Sequence, residues 1–300
     1  MEDRTSPEQL IFLHIPKAGG RTLHRIIERQ YDIRRVYTLD GLDPHGSLRR
    51  FVELSDGERA KIHVLKGHMS FGYHVYMQQP VRYITMLREP VQRIVSHYNY
   101  VLDEPAHYLY EHVTTRRMSL TEYASSGLST ELENGQTRLI AGIPDTEPCG
   151  SQTLQQAKEN IETFFAVAGI TEQFDATLIL LKQRFSWGDV RYIKKNVSDG
   201  SRKERLSDGV KHAIEDRNLQ DLELYEYVRQ RLERTVSQQG RTFHIFLDEV
   251  CGFKPSWFDV AREKFLSNPW KYREWIRYNS KKIVVQVTRA LGRAVKAHEK

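Results

Sequence analysis

Short apolar segments bounded by polar or turn-forming residues recur along the chain and predict β-strands. The first, LIFLHI at residues 10–15, ends at a proline and is almost wholly apolar, which is typical of a strand buried on both faces. Similar segments predict four further strands. They lie at residues 61–66, 82–87, 164–168 and 190–194.

Apolar residues at helical spacing follow several of these segments. They predict a helix from Thr22 onward, and Pro90, a residue type favoured at the first helical position, begins another. Further helices are predicted from residue 174 and over residues 207–217 and 219–237. Strands that alternate with helices indicate an α/β fold of three layers, in which a mostly parallel sheet lies between helices.

The same pattern suggests how the chain is divided. Residues 1–240 are predicted to form one α/β domain, and the polar, helical residues 103–160 an insertion over its functional site. Residues 241–300 form a C-terminal helical extension. Its basic tail, residues 271–300, holds nine Lys and Arg and two Glu, a net +7, whereas the whole chain carries +6. The other residues therefore sum to −1, which argues against a nucleic-acid-binding core.

The basic tail also carries an apolar stripe at helical spacing. Such a helix could dock on the core, on a second subunit or on an anionic membrane surface. The sequence leaves these alternatives and the oligomeric state open. The stripe consists of Ile283, Val284, Val287, Leu291 and Val295.

Cysteine usage and hydropathy bear on location. Cys149 and Cys251 are too few for a disulfide framework or a four-ligand zinc site, which favours a reducing compartment. The N-terminus shows no signal pattern, and no apolar run approaches the roughly 18 residues that span a bilayer. We therefore expect a cytoplasmic protein, with peripheral membrane contact through the basic tail as an option.

The segment IPKAGGRTL, at residues 15–23, lies between a predicted strand and a predicted helix. Its glycine pair lets the backbone approach an anion, and the free N–H groups that begin the helix point at it. Lys17 adds a charge and Thr22 a hydroxyl. The lysine precedes the glycines, so this is not a Walker loop. The alternative interpretation is a glycine turn with a surface lysine.

A second candidate anion site is LREPVQRIVSHY, at residues 87–98. Arg88 follows a predicted strand, at the edge where α/β sheets bind ligands, and a guanidinium binds phosphate oxygens bidentately. Ser96 lies on the helix that follows. Alternatively, Arg88 pairs with Glu89 and Ser96 is a solvated helix residue.

Both segments resemble those of sulfotransferases that use 3′-phosphoadenylyl sulfate (PAPS). PKAGGRTL is similar to their 5′-phosphosulfate loop, PK(T/S)GGT(S/T)L, although Arg21 replaces the usual Thr, and LREPVQRIVSHY is similar to their 3′-phosphate segment. The resemblance implies a P-loop-like α/β fold, PAPS as donor and adenosine 3′,5′-bisphosphate as product. It assigns Arg88 and Ser96 to the 3′-phosphate. To the 5′-phosphosulfate group it assigns Lys17, Ala18, Gly19, Gly20, Arg21 and Thr22.

His68 is the candidate catalytic base among 12 histidines. It follows a predicted strand, and GHMSF at residues 67–71 resembles a stretch of the uronyl, heparan-type 2-O-sulfotransferases in which the histidine is the proposed base. Histidine suits this role because its ordinary pKa lies near neutrality. His63 and His74 are rivals. Lys17 has a second, catalytic role, stabilising the oxygen that gains charge as the donor bond breaks.

Two weaker resemblances extend the candidate site. LENGQTRLIAG, at residues 132–142, resembles a carbohydrate sulfotransferase stretch and would place Gln136 and Arg138 at the acceptor; a surface helix is the alternative. The segment from residue 194 resembles a loop that closes on the nucleotide through Ser198, Arg202 and Lys203; a solvated basic loop is the alternative.

The sequence thus predicts transfer of a sulfuryl group from PAPS to a hydroxyl of a carbohydrate or glycolipid, with no metal ion. A phosphotransferase is an alternative, but it normally needs Mg²⁺ with a dedicated acid and a Walker lysine, and neither is apparent. A non-enzymatic binder of anions or glycans is another. The identity of the acceptor stays open.

Overall fold

The computed structural model describes residues 8–41, 43–193, 206–256 and 259–260. Contacts divide the chain into two units, Met1–Val190 with Ser198–Cys251 and Arg191–Val197 with Gly252–Lys300. In the second unit the Arg191 guanidinium lies 5.0 Å from the centre of the Phe253 ring. Every strand and helix named below belongs to the first unit.

A parallel five-stranded sheet forms the centre of the first unit, in the order β2-β3-β1-β4-β5. Leu13 at the end of β1 is in register with Gly67 of β3 and Thr85 of β4. The chain therefore leaves three adjacent strands at one edge of the sheet. The strands are β1 Gln9–Leu13, β2 Val36–Thr38, β3 Val64–Gly67, β4 Val81–Leu87 and β5 Phe165–Ile170.

Helices connect the strands and cover the sheet, as the α/β pattern predicts. Within the described residues they are α1 Gly20–Gln30, α2 Pro44–Glu53, α3 Asp56–Arg59, α4 Pro90–Asp103, α5 Tyr110–Thr115, α6 Leu120–Ser125, α7 Gly135–Ala141, α8 Ser151–Phe164, α9 Phe174–Phe185, α10 Asp208–Glu215, α11 Leu219–Ser237 and α12 Arg241–Cys251. The α/β fold with a mostly parallel sheet is confirmed.

Four of the five predicted strands form within three residues of their expected ends, and β2 is an additional edge strand of three residues. The strand predicted at residues 190–194 is wrong over its described part, residues 190–193. The chain before it is bound to α1 instead: Gly188 N–H donates to Gln30 Oε1 at 2.8 Å, and Gln30 Nε2 donates to the Asp189 carbonyl at 3.1 Å.

The predicted insertion at residues 103–160 consists of α5 to α7 and most of α8. Its first part packs on α4 and α10 through buried apolar side chains, and α8 runs directly into β5. At the other end of the unit, α12 packs against α9 with Phe243 fully buried. The domain boundary at residue 240 stays a prediction. The packed side chains are Val91, Ile94, Val101, Leu109, Val113, Tyr123, Ala124, Leu132 and Ile214.

The starts of α7 and α11 bind each other through two buried side chains. The Asp221 carboxylate accepts hydrogen bonds from the N–H groups of Gln136 at 3.1 Å and Thr137 at 2.7 Å. In return Asn134 Oδ1 accepts from Asp221 N–H at 3.1 Å. Asp221 also lies 3.6 Å from Arg93 Nη2, and both side chains are at most 1% exposed. These contacts fix α7 against α4 and α11.

Some predicted features lie outside the described residues. They are the loop residues Ser198, Arg202 and Lys203 and the basic tail, so their roles stay predictions. In the part of the chain that the structure describes, no helix has the length and hydropathy needed to cross a membrane.

We predict that Asp221→Ala destabilises the fold by about 3–5 kcal/mol, because it leaves the Arg93 charge buried without its partner. Urea unfolding followed by circular dichroism measures this. Glu223→Ala is the matched control on the same helix, since Glu223 is 67% exposed and its pair with Lys158 spans 3.9 Å. We expect a change below about 0.5 kcal/mol for the control. Equal stability of the two variants would contradict the role of Asp221.

Candidate active site

The loop between β1 and α1 has the backbone of an anion site. Lys17 and Gly19 adopt left-handed conformations, with φ of 66° and 73°, and no side chain caps the start of α1. The first N–H groups of α1 are therefore free of a side-chain partner, and such groups bind anions.

Close neighbours favour glycine at both position 19 and position 20 of the loop. A Cβ atom on Gly19 would lie 3.2 Å from the Thr171 methyl group and 3.3 Å from the Phe174 ring. One on Gly20 would lie 1.7 Å from His14 Nε2, which leaves no room for a side chain. Ala18, which precedes the two glycines, is fully buried. The loop is therefore held in one shape by packing from His14, which follows β1, and from Thr171 and Phe174, which lie just before and at the start of α9.

Lys17 and Arg88 come together at the carboxyl edge of the sheet. Arg88 Nη1 donates a hydrogen bond to the Lys17 carbonyl at 3.1 Å, which joins the end of β4 to the loop after β1. Lys17 Nζ lies 4.0 Å from the centre of the Tyr100 ring on α4. Ser96 lies one helical turn before Tyr100 and thus on the same face of α4.

Three cations make this region strongly positive. Burial lowers the pKa of Lys17 to about 8, and repulsion from Arg21 and Arg88 adds to the effect. Burial also lowers the pKa of Arg88, although Glu172 and Glu89 oppose this shift. The positive charges are close enough to repel one another, so a multiply charged anion would stabilise all of them.

The predicted phosphate-binding side chains are accessible to a ligand. Ser96 and Thr22 are half-buried, and neither hydroxyl makes a hydrogen bond within the described residues. Arg21 is exposed on the first turn of α1. Arg21 stands where the sulfotransferase loop usually has a threonine. It therefore places a cation, not a hydroxyl, near Lys17.

Gln136 and Arg138 do not lie at an open acceptor surface, contrary to the sequence interpretation. Gln136 is fully buried, accepts from Arg88 N–H at 2.9 Å and donates to the Arg88 carbonyl at 2.9 Å. Arg138 is 9% exposed and donates to the carbonyls of Glu133 and Glu147. The alternative of a surface helix is also wrong, because α7 is largely buried. Gln136 instead fixes the backbone that presents Arg88.

His68 follows β3 at the same sheet edge. Its Nδ1–H donates to the His14 carbonyl at 3.0 Å, and its ring stacks on that of His14 with centres 4.2 Å apart. Burial lowers its pKa, while the hydrogen bond and the Glu131 charge oppose this shift. His68 is thus neutral near pH 7, with the lone pair on Nε2.

The rival histidines have other partners. His63 precedes β3, at the opposite end of that strand from His68, and its Nε2 atom lies 2.6 Å from Arg35 Nη1. His74 Nδ1 lies 3.1 Å from the Tyr83 hydroxyl. Neither is placed at the strand end that carries Lys17 and Arg88.

Sequence reasoning missed three side chains beside the site. Tyr100 supports the Lys17 ammonium, and its position four residues after Ser96 could have indicated this. Glu131 Oε2 lies 2.8 Å from His97 Nε2, and the charge of Glu131 raises the pKa of His68. No local motif marks this pair, since 34 residues separate its members.

A cavity of about 340 Å³ lies among β5, α9 and α11, lined by Leu180, Arg184 and Arg231 among others, and contains no residue of the two anion segments. In the described ranges no group of three or more His, Cys, Asp or Glu is placed to hold a metal ion. The metal-free reaction stays a prediction.

An uncapped helix start and an arginine–serine pair at the adjacent strand end can hold two phosphate groups of one nucleotide. A neutral histidine and a lysine lie beside them. This combination of α/β fold and site fits the class that the sequence predicts, a sulfotransferase that uses PAPS as donor.

A comparison with protein families supports this class. A family model described as Galactose-3-O-sulfotransferase matches residues 7–250, and the chain belongs to this family. No curated protein matches the chain significantly. Among solved structures, the crystal structure of mouse sulfotransferase SULT7A1 complexed with PAP has a TM-score of 0.37 and 12% identity, and the match covers 79% of this chain and 90% of that chain.

The chain is therefore a PAPS-dependent sulfotransferase that acts on a hydroxyl of a carbohydrate, with adenosine 3′,5′-bisphosphate (PAP) as product. The predicted resemblance to carbohydrate sulfotransferases is confirmed. The family that matches is the galactose-3-O group, whereas the GHMSF stretch suggested the uronyl 2-O group.

We predict that Arg88→Ala weakens PAP binding by about 2 kcal/mol or more, through lost charge-assisted hydrogen bonds to the 3′-phosphate. Titration calorimetry with PAP and with adenosine 5′-phosphate measures this, and the variant should lose the preference for PAP. Arg82→Ala is the control, since Arg82 lies at the other end of β4. Unchanged discrimination in Arg88→Ala would refute the assignment.

Proposed function

We propose that this enzyme sulfates the 3-hydroxyl of a galactose residue in a glycan or glycolipid, with His68 as base. The family description supports the galactose acceptor. The observation that carries the mechanism is the convergence of His68, Lys17 and Arg88 at adjacent strand ends of one sheet edge.

The donor is held by the two anion segments. Free N–H groups of α1, with Lys17 and Thr22, bind the 5′-phosphosulfate group, and Arg88 with Ser96 binds the 3′-phosphate. The residues present fit this group, because no side chain caps the start of α1 and the Ser96 hydroxyl makes no hydrogen bond within the described residues. PAPS supplies an activated sulfuryl group on a phosphate leaving group.

His68 removes the proton of the acceptor hydroxyl through Nε2. The hydrogen bond from its Nδ1–H to the His14 carbonyl fixes this tautomer and the ring orientation. The lowered pKa keeps the ring neutral, so the base is ready at physiological pH.

Lys17 stabilises the charge that develops on the leaving oxygen. Its Nζ is positioned by the Tyr100 ring and by the left-handed backbone, which Arg88 holds through the Lys17 carbonyl. A preorganised cation is more effective in such a partly buried site than in water. The bound anion also raises the pKa of Lys17 from its value of about 8.

The acceptor sugar contacts a set of side chains contributed by the helical insertion. The rings of His107 and Tyr108 stack with centres 4.6 Å apart, and Tyr108 is 60% exposed. Burial opposes ionisation of Glu131, but the hydrogen bond and charge of His97, with further contributions from His68 and Arg93, together outweigh it and lower the pKa of the carboxyl. An ionised carboxylate beside aromatic rings suits sugar hydroxyls and the apolar face of the ring.

We predict sulfation of a β-galactoside and none of its 3-deoxy analogue, because the latter lacks the attacking oxygen. Incubation with radiolabelled PAPS followed by chromatography measures this. A 2-deoxy galactoside is the control and should still be sulfated. Equal labelling of the 3-deoxy compound would contradict the proposed position.

We predict that His68→Ala lowers kcat by about 10²–10⁴ while PAP still binds, since a general base contributes a factor of this size. Steady-state kinetics and calorimetry separate the two effects. His63→Ala is the control, because His63 lies at the other end of β3. Full turnover in His68→Ala would remove His68 from the mechanism.

The pH dependence follows from the same groups. His68 acts as the neutral form, so kcat/KM rises as the pH passes its lowered pKa, below 6.5. Lys17 acts as the cation, so kcat/KM falls as the pH passes about 8. We therefore predict a bell-shaped profile for the wild type. His68→Ala should lose the acidic limb, and its persistence would show that another group is the base.

A further inference from the structure

A chain of four polar side chains connects the helix α1 to the middle of the sheet. Lys66 Nζ donates to Glu28 Oε1 at 2.8 Å and lies 3.0 Å from His24 Nδ1. His24 Nε2 lies 3.0 Å from His14 Nδ1. The Lys66 side chain belongs to a central parallel strand and is only 1% exposed. A buried lysine is costly unless it is paired, so these contacts require an explanation.

The hydrogen bonds in this chain run in one direction. An ammonium group can only donate, so His24 Nδ1 accepts from Lys66 and the proton of His24 lies on Nε2. His24 then donates to His14 Nδ1, which places the proton of His14 on Nε2. Burial is the largest cause that lowers the pKa of both histidines, to about 3 for His24 and well below the ordinary value for His14. Both rings are therefore neutral.

The Nε2–H group of His14 lies at the anion-binding loop. The Nε2 atom occupies the space that a side chain on Gly20 would fill, at the first residue of α1. The same histidine accepts a hydrogen bond from His68 through its carbonyl, and the two rings are stacked. A donor on His14 and a lone pair on His68 are thus presented side by side.

We propose that His14 Nε2–H donates a hydrogen bond to an oxygen of the 5′-phosphosulfate group, and that Lys66 and His24 are positioning residues that hold its proton there. The proposal rests on donor binding at the loop, as in the proposed function. One nitrogen of His14 is bound in the core, and the other faces the loop. The proposal also accounts for Gly20, since any side chain there would displace the donor.

The alternative is a purely structural chain that fills the space between α1 and the sheet. A structural chain would give the same tautomer of His14 but would have no effect on the donor. The two possibilities therefore differ in the affinity for PAPS, while the position of the His14 proton tests the hydrogen-bond direction on which the proposal depends.

The first measurement is ¹⁵N NMR of the full-length protein labelled at histidine, without ligand. We expect the Nε2–H tautomer for both His14 and His24 in the wild type. His24→Leu should give a mixture of tautomers at His14, because no donor reaches Nδ1. His24→Gln should restore the Nε2–H form, since its amide can accept from Lys66 and donate to His14. An Nδ1–H tautomer of wild-type His14 would overturn the proposal, whatever the variants do.

The second measurement is the affinity for PAPS in the same variants. His24→Leu should weaken PAPS binding about tenfold, the loss of one hydrogen bond to an anion, and His24→Gln should recover most of it. His45→Leu, at an exposed position on α2, controls for general effects of a removed histidine. Unchanged PAPS affinity in a folded His24→Leu would overturn the proposal. Failure of the wild type to bind PAPS would instead refute the proposed function, and the NMR result would be unaffected.

Discussion

One hydrogen bond, from the Arg88 guanidinium to the Lys17 carbonyl, joins the two segments on which the site depends. It connects the end of β4 to the loop after β1, and these strands are neighbours in the sheet. Because both strands are parallel and in register, the segments that follow them must emerge at the same edge. The topology of the sheet thus brings together the two predicted phosphate-binding segments, which are about 70 residues apart in sequence.

The helices outside the sheet determine how accurately these groups are held. Asp221 binds the start of α7, and Gln136 on α7 binds the backbone of Arg88 on both sides. In the same way, Lys66 contacts His24, and His24 contacts Nδ1 of His14. The Arg88 backbone and the His14 ring therefore each have polar partners that fix their direction, and such support is what keeps a site preorganised.

Much of this could be predicted from the sequence, because short apolar segments and helical spacing report local structure. The loop at Lys17 and the segment at Arg88 are contiguous motifs, and their meeting follows from parallel pairing. Gln136 and Arg138 were misjudged since polar side chains suggest exposure, whereas both are satisfied in the interior. The strand predicted at residue 190 was wrong because its apolar pattern cannot show that the preceding backbone is bound by Gln30. Likewise, no sequence pattern reveals contacts such as that of Glu131 with His97, which depend on tertiary packing.

The central claim is that one nucleotide bridges the two segments. A crystal structure of the protein with PAP tests it most directly. We predict the 5′-phosphate at the N–H groups that begin α1 and the 3′-phosphate at Arg88 and Ser96. A nucleotide bound in the cavity among β5, α9 and α11, or one that contacts only one of the two segments, would contradict it.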